Sequence, residues 1–177
     1  MNRDEALRIS KELEKWSVAD LYEAQGKYGD ISHTIYPVHF VKRFSGIAVT
    51  ARGFQGSVMG AVIDAMEKAQ PGDVLVIDAG DESSTSFGGS TAFAAHHRGI
   101  AALITNGYVR DIAEIKTLAV SVYAAGVNIR GSLRSHRGWI QIPVSIGGCV
   151  IHPGDFIVGD EDGLLAIRPE RVFPVLE

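Results

Sequence analysis

Three side chains lying close together in the sequence have types that do chemistry. Arg110, Asp111 and Glu114 sit in the segment Gly107-Tyr108-Val109-Arg110-Asp111-Ile112-Ala113-Glu114. If a helix begins here, the two carboxylates three residues apart share one face. Hard divalent cations take oxygen ligands of this kind, and a neighbouring guanidinium can hold a planar anion. The same residues also suit a plain helix start, where acidic side chains favour the positive N-terminal end. The residues alone leave both readings open. A second candidate is Gly88-Gly89-Ser90-Thr91, which leads into a helix-like stretch at 92–97. Unpaired backbone N–H groups at a helix N-terminus attract carboxylates and phosphates. No lysine follows the glycines and their spacing is wrong, so this is neither a Walker loop nor a dinucleotide fingerprint. A plain loop and cap is the alternative.

The elements around these residues read as an α/β domain. The apolar run at 100–105 is a buried strand, and Asn106-Gly107 is the turn after it. Polar side chains at such a strand exit stand where α/β sheets bind ligands. Upstream, the spacing predicts a helix over 4–16, then a second capped by Ser17 and running from Val18 to about Lys27. A strand follows at 44–53, a helix at 57–69, and the turn Pro71-Gly72-Asp73 before a buried strand at 74–78. Residues 79–91 form a polar, Gly-rich loop. Beyond the Arg110 segment come a helix at 112–118, a strand at 120–123 and an Arg-rich loop at 125–138, long enough to mark function or an interface. Strands are expected at 140–143, 145–151, 156–158 and 164–167, with Asp162-Gly163 as a hairpin turn. Pro153-Gly154-Asp155 repeats the earlier turn. The expectation is one domain: N-terminal helices at about 4–28, an α/β core at about 38–124 and a β-rich part at about 139–167.

Length and composition narrow the function classes. A chain of 177 residues suits one domain with a real core. A net charge of −4 leaves no electrostatic footprint for nucleic acid and no polybasic surface for membranes. The denser basic segment with Arg130, Arg134, His136 and Arg137 reads as a solvated or anion-facing loop. A single cysteine, Cys149, excludes an internal disulfide and a cysteine zinc cluster, and its apolar context marks it as a small buried hydrophobe. The start of the chain lacks the apolar core of a signal peptide, and no run has the length to cross a bilayer. A cytoplasmic protein is expected.

Other chemistries find little support. Asp160-Glu161-Asp162-Gly163 lacks the later ligands of a calcium loop and reads as a solvated turn. His96 and His97 are adjacent, so on a helix they point apart and cannot share a metal; surface or interface roles suit them. His33, His39, His136 and His152 are isolated and read as structural. The serines around 83–86 lack a nucleophile elbow, and the lysines sit in polar helix-like settings, so covalent catalysis is poorly supported.

The spacing from Gly89 through twenty residues to Arg110-Asp111, then two residues to Glu114, gives G-x20-R-D-x2-E. This resembles the signature of class II 4-hydroxy-4-methyl-2-oxoglutarate/4-carboxy-4-hydroxy-2-oxoadipate aldolases, within the superfamily of RraA-like proteins. The resemblance covers roughly residues 17–167, including Asn106-Gly107-Tyr108-Val109, Pro143-Val144 and Asp160-x-Asp162-Gly163. It implies α-β-β-α layers related to swivelling β/β/α domains, assembled as trimers or hexamers with sites between subunits. It implies that Asp111 holds Mg²⁺ or Mn²⁺, directly or through water, and that Arg110 contacts the pyruvate part of a small 2-oxo acid. Gly88, Gly89, Ser90 and Thr91 would receive that substrate's carboxylate on backbone amides. The implied activity is metal-dependent cleavage of a 4-hydroxy-2-oxo acid to pyruvate, with oxaloacetate decarboxylation through the same enolate. The alternative within the superfamily is a non-enzymatic RraA-like regulator that binds ribonuclease E. Regulators of that type keep the Arg-Asp pair and lack the acid three positions on, so Glu114 favours the enzyme. Two departures leave the substrate open: Ile129 precedes Arg130 where many relatives place proline, and longer aldolases carry a C-terminal extension that completes a neighbour's site.

Overall fold

The same chemistry starts the first two helices. The Asn2 side chain accepts from the Glu5 N–H at 2.9 Å, and the Ser17 hydroxyl accepts from the Asp20 N–H at 3.0 Å. These caps open α1 (Arg3–Leu13) and α2 (Val18–Ala24). Positive φ at Gly26 (88°) and Lys27 (63°) stops α2 before the expected residue 27. The computed structural model describes residues 1–80, 84–134 and 137–176; Asp81, Glu82, Ser83, Ser135, His136 and Glu177 lie outside the described residues. The expectations for the 83–86 serines and for His136 fall partly or wholly there.

The chain continues through β1 (Asp30–Ile31), β2 (Tyr36–His39), β3 (Phe44–Arg52), α3 (Met59–Lys68), β4 (Asp73–Asp78), β5 (Thr85–Phe87) and α4 (Gly89–His97). Then follow β6 (Ala102–Thr105), β7 (Tyr108–Val109), α5 (Ile112–Ile115), β8 (Ser121–Ala124), β9 (Gly126–Val127) and β10 (Trp139–Ile140). The last elements are β11 (Val144–Ile146), β12 (Cys149–Ile151), β13 (Phe156–Gly159), β14 (Leu164–Ile167) and α6 (Val172–Leu176).

The main sheet runs β1-β14-β13-β3-β4-β6-β8-β2, with β10 also on β3. Its centre, β3-β4-β6-β8, is parallel and its flanks are antiparallel. Every residue of β4 and β6 is buried, as expected for parallel strands covered on both faces. Alternation divides the core. Leu75, Ile77 and Leu103 face Ala61, Ala65, Ala92 and Ala95 of α3 and α4, whose small side chains let the helices lie close. Val74, Val76, Ile104 and Tyr123 face Val144, Ile146 and Ile151 of the β11–β12 hairpin. The first two helices and α6 close the far side over Phe156, Val158, Leu165 and Ile167. The layers are those the resemblance implied.

Several expected elements are redrawn. Residues 145–151 are not one strand: positive φ at Gly147 and Gly148 folds the segment into the β11–β12 hairpin. The helix expected over 112–118 is a single turn, and β10 ends where Gln141 takes φ 55°. Helix α4 begins three residues earlier than expected, so Gly89 belongs to the helix and Gly88 is its N-cap. The turns Pro71-Gly72-Asp73 and Pro153-Gly154-Asp155 close identically. Asp73 Oδ2 accepts from Gln70 N–H and Asp155 Oδ2 from His152 N–H, each at 2.8 Å. Arg3 pairs with the first aspartate and Arg168 with the second, the latter at 3.2 Å. Among the described residues no helix is long and apolar enough to cross a membrane.

Candidate active site

A second, three-stranded parallel sheet, β5-β7-β9, builds the site. Thr85 opposes Tyr108 and Phe87 is set against Val109, so the residues after each strand emerge side by side. This converts the twenty-residue interval between Gly89 and Arg110 into adjacency. Gly88 carries the first chain into α4. On the second, Arg110 N–H donates to Phe87 C=O at 3.3 Å, and Asp111 turns the backbone through the left-handed region at φ 61°, ψ 40°. Aspartate tolerates that conformation better than most residues. The Asp111 carbonyl accepts from the Glu114 and Ile115 N–H groups at 3.0 Å each, which starts α5.

The Asp111 carboxylate rests on the tip of α4, where Oδ2 accepts from Gly89 N–H at 3.0 Å. That contact places a negative group at the positive end of the helix. Glycine at both positions lets these side chains close over the backbone. A Cβ on Gly88 would run into Asp111 Oδ2 and lie 3.0 Å from Arg110 Cγ. One on Gly89 would run into Glu114 Oε2 and lie 3.2 Å from Asp111 Cβ. The structure therefore brings Gly88, Gly89, Arg110, Asp111 and Glu114 together. Ser90 and Thr91 follow on the first turn of α4, and their N–H groups meet no acceptor among the described residues. The Gly89 amide of the expected cradle thus holds the protein's own carboxylate, and the Ser90 and Thr91 amides remain open.

Arg110 Nε lies 3.8 Å from Asp111 Oδ2, and Nη1 donates to Ile129 C=O at 3.4 Å. Both side chains of that ion pair are nearly half exposed, so the pair contributes little to stability. The 125–138 loop is laced to the site sheet: Asn128 N–H donates to Val109 C=O, and Thr85 donates to Arg130 C=O and Asn128 C=O. Sequence reasoning missed Phe87, Thr85 and the Ile129 carbonyl. They act through backbone atoms or buried packing, which leave no mark in residue type.

Asp111 and Glu114 both stand against Gly89 and offer hard carboxylate oxygens there. No third His, Cys, Asp or Glu joins them among the described residues. A pair of this kind fits Mg²⁺ or Mn²⁺, since such ions are commonly held by one or two carboxylates and complete their shell with water and substrate oxygens.

Several titratable groups elsewhere are held by partners within the fold. Asp160, expected in a solvated turn, is buried: Oδ2 accepts from Val18 N–H at 2.9 Å and its carbonyl from the Tyr123 hydroxyl at 2.6 Å. Burial, then the charges of Asp160 and Glu161, pushes the Tyr123 hydroxyl up. Cys149 is half-buried rather than buried, and its thiol is pushed up to about 11 by desolvation and then by Asp155 and Asp30. Desolvation also raises Asp155, against the His152 amide and Arg168. His39 Nε2 bonds Leu118 C=O, His96 Nδ1 accepts from Ala119 N–H, and His152 bonds Arg168.

Comparison with known proteins identifies the family. The family model described as RraA-like, Aldolase/RraA, matches residues 18–166. A Halalkalibacterium halodurans protein provisionally named 4-hydroxy-4-methyl-2-oxoglutarate aldolase is 37% identical over 149 residues, 84% of this chain and 70% of that one. The 4-hydroxy-4-methyl-2-oxoglutarate aldolase of Thermus thermophilus is 31% identical over 126 residues, covering 71% of this chain and 76% of its own. The solved structure of the RNA-processing inhibitor RraA from Thermus thermophilus superposes with a TM-score of 0.79 at 25% identity, over 86% of this chain and 93% of that one. With a family match over most of its length and a layered fold that superposes on a solved RraA structure, the chain belongs to the RraA-like family of aldolases and RraA proteins.

Proposed function

We propose that the chain is a divalent-metal-dependent aldolase that cleaves a 4-hydroxy-2-oxo acid and releases pyruvate. The observation that carries this is the meeting of Asp111 and Glu114 over Gly89 at the tip of α4, with Arg110 alongside. The names of two relatives support the aldolase class. In this scheme the open Ser90 and Thr91 amides, at the positive helix end, take the substrate's 1-carboxylate. Asp111 and Glu114 hold the Mg²⁺ or Mn²⁺ ion. Such an ion, when bound, supplies Lewis-acid polarisation of the 2-oxo oxygen. Arg110, steadied by the Ile129 carbonyl, faces the oxygen on which negative charge grows. As the C3–C4 bond breaks, its electron pair passes into the enolate of pyruvate, the C4 hydroxyl loses its proton and becomes a carbonyl, and C3 later takes a proton. Loss of CO₂ from oxaloacetate leads to the same enolate, so the proposal includes that activity. Exposed Val127, Ile129 and Leu133 beside the site support assembly through this face, as a trimer or hexamer with sites between subunits.

The test is pyruvate release from 4-hydroxy-4-methyl-2-oxoglutarate and oxaloacetate, before and after EDTA and with metal restored. Asp111→Asn, which keeps a residue tolerant of the left-handed backbone, should lose about 10²-fold or more of the EDTA-sensitive rate. An undiminished rate overturns the assignment. The likeness to the Thermus RNA-processing inhibitor RraA favours a second reading, a ribonuclease regulator. Inhibition of ribonuclease E by this chain, without any metal-dependent pyruvate release, would establish it instead.

A further inference from the structure

The loop after β9 is fastened on both sides of Gly131. Before it, Asn128 N–H donates to Val109 C=O of β7 at 3.1 Å. Thr85 of β5 adds two bonds: its N–H donates to Arg130 C=O at 2.8 Å and its hydroxyl to Asn128 C=O at 2.5 Å. Beyond Gly131, Ser132 Oγ accepts from Val58 N–H at 2.9 Å and Leu133 N–H donates to Gly56 C=O at 2.8 Å, which ties the loop to the start of α3. Within the loop the Asn128 side chain accepts from Arg130 N–H at 3.0 Å and closes an Asx turn around Ile129. The strands that hold this turn, β5 and β7, are the ones that deliver Gly88 and Arg110 to the site.

The φ of Gly131 lies outside the left-handed range, so its backbone does not call for glycine. What glycine provides is room. The first three atoms that a Cβ there would meet are Nη1 at 2.9 Å, Cζ at 3.6 Å and Nη2 at 3.9 Å, all of the Arg110 guanidinium. The guanidinium therefore lies against bare backbone, and its Nη1 donates to Ile129 C=O at 3.4 Å. One side of Arg110 is taken by its own chain. The rest of the side chain, nearly half exposed, stays open to substrate and to a neighbouring subunit.

We propose that Asn128 and Gly131 are positioning residues that set the direction of Arg110. Asn128 aims the Ile129 carbonyl, and Gly131 keeps the seat of the guanidinium free of a side chain. Neither touches substrate; both act through Arg110. The effect on rate rests on the aldolase reading, while the effect on Arg110 rests on the loop geometry alone. With a Cβ at 131, Nη1 must retreat by about 0.5 Å to reach 3.4 Å, where ordinary contact begins. Stabilisation of growing charge depends on such placement, and a misplacement of about 1 Å can cost about 10²-fold.

Gly131→Ala should lower kcat for pyruvate release about tenfold, with KM, Mn²⁺ affinity and Tm held. In an Arg110→Ala background the same substitution should cost nothing further, since the group it displaces is gone. In protein labelled at arginine nitrogen, the Nε–Hε signal that Arg110→Ala removes reports the order of this side chain directly. Its heteronuclear NOE should be high in the parent and lower in both Gly131→Ala and Asn128→Ala. An unmoved kcat or NOE in Gly131→Ala, or a further loss of rate in the Arg110→Ala background, overturns the positioning and leaves the site reading standing. A fall in Tm beyond about 4 °C gives Gly131 a packing role and overturns it too. An unchanged rate in Arg110→Ala overturns the catalytic part of Arg110, and the NOE alone then decides whether the loop positions it.

Discussion

Gly89→Ala probes the site without replacing any charged group. In the first turn of α4, alanine should gain up to roughly 0.5–1 kcal/mol over glycine from backbone propensity. Against this, the new Cβ runs into Glu114 Oε2 and stands 3.2 Å from Asp111 Cβ. Glu114 is exposed and its carboxylate is the far end of a flexible side chain, so it swings away at little cost. The Asp111 contact asks for a shift of a few tenths of an ångström. These effects nearly cancel, and stability should stay within about 1 kcal/mol of the parent, or about 2–4 °C in Tm for a chain of this size. Function should not be spared. Glu114 leaves the donor pair, and the hydrogen bond that orients Asp111 is strained. Losing interactions of this kind costs about 10–100-fold in metal affinity, or about 1.4–2.7 kcal/mol. Calorimetric titration with Mn²⁺, beside thermal unfolding of the metal-free protein and the pyruvate assay, measures both halves. Unchanged Mn²⁺ affinity at unchanged Tm would refute the donor pair over Gly89. A fall in Tm beyond about 10 °C would show that Gly89 serves packing instead.

Arg110→Lys keeps the charge and loses the planar fork; the rate of pyruvate release should fall about 10²-fold with Tm unmoved, and an unaltered rate would deny Arg110 its role. The Cys149 thiol, raised from 9.0 to about 11, should react slowly with iodoacetamide at pH 8 and faster as pH climbs toward 11. Because the folded value lies above the unfolded one, the stability linked to this thiol is present below pH 9 and lost as pH rises through about 11; a reaction rate already level below pH 9 contradicts the assigned shift. Leu103→Ala, at a fully buried position of β6, should cost about 2–5 kcal/mol in denaturant unfolding, and a loss under about 1 kcal/mol would mean that the core relaxes around the cavity.

The central sheet was legible because long buried strands leave continuous apolar runs. Val74 to Ile77 and Leu103 to Ile104 needed no tertiary information. The β5-β7-β9 sheet was not legible, since strands of two or three residues are too short to show a period. That hidden sheet is what brings Gly89 to Asp111. Residue types and spacing named Arg110, Asp111, Glu114 and the glycines, and the structure gathers them, but which amide Asp111 would occupy depended on its left-handed backbone. Asp160 was misread because its neighbours Glu161 and Asp162 are exposed, while its own partner Val18 lies 142 residues away.

The twin Asp-closed turns have a mechanical consequence. Asp73 and Phe156 both stand opposite Ile47, so the strands on either side of β3 begin at the same rung. At that level Arg3 of the first helix is buckled to Asp73, and Arg168, just beyond β14, to Asp155. A pull on α1 would reach β4 through Asp73, and a pull on the segment after β14 would reach β13 through Asp155, one neighbour of the central strand each and at one height. The two loads would then meet across the rung at Ile47, as shear between β3 and its neighbours.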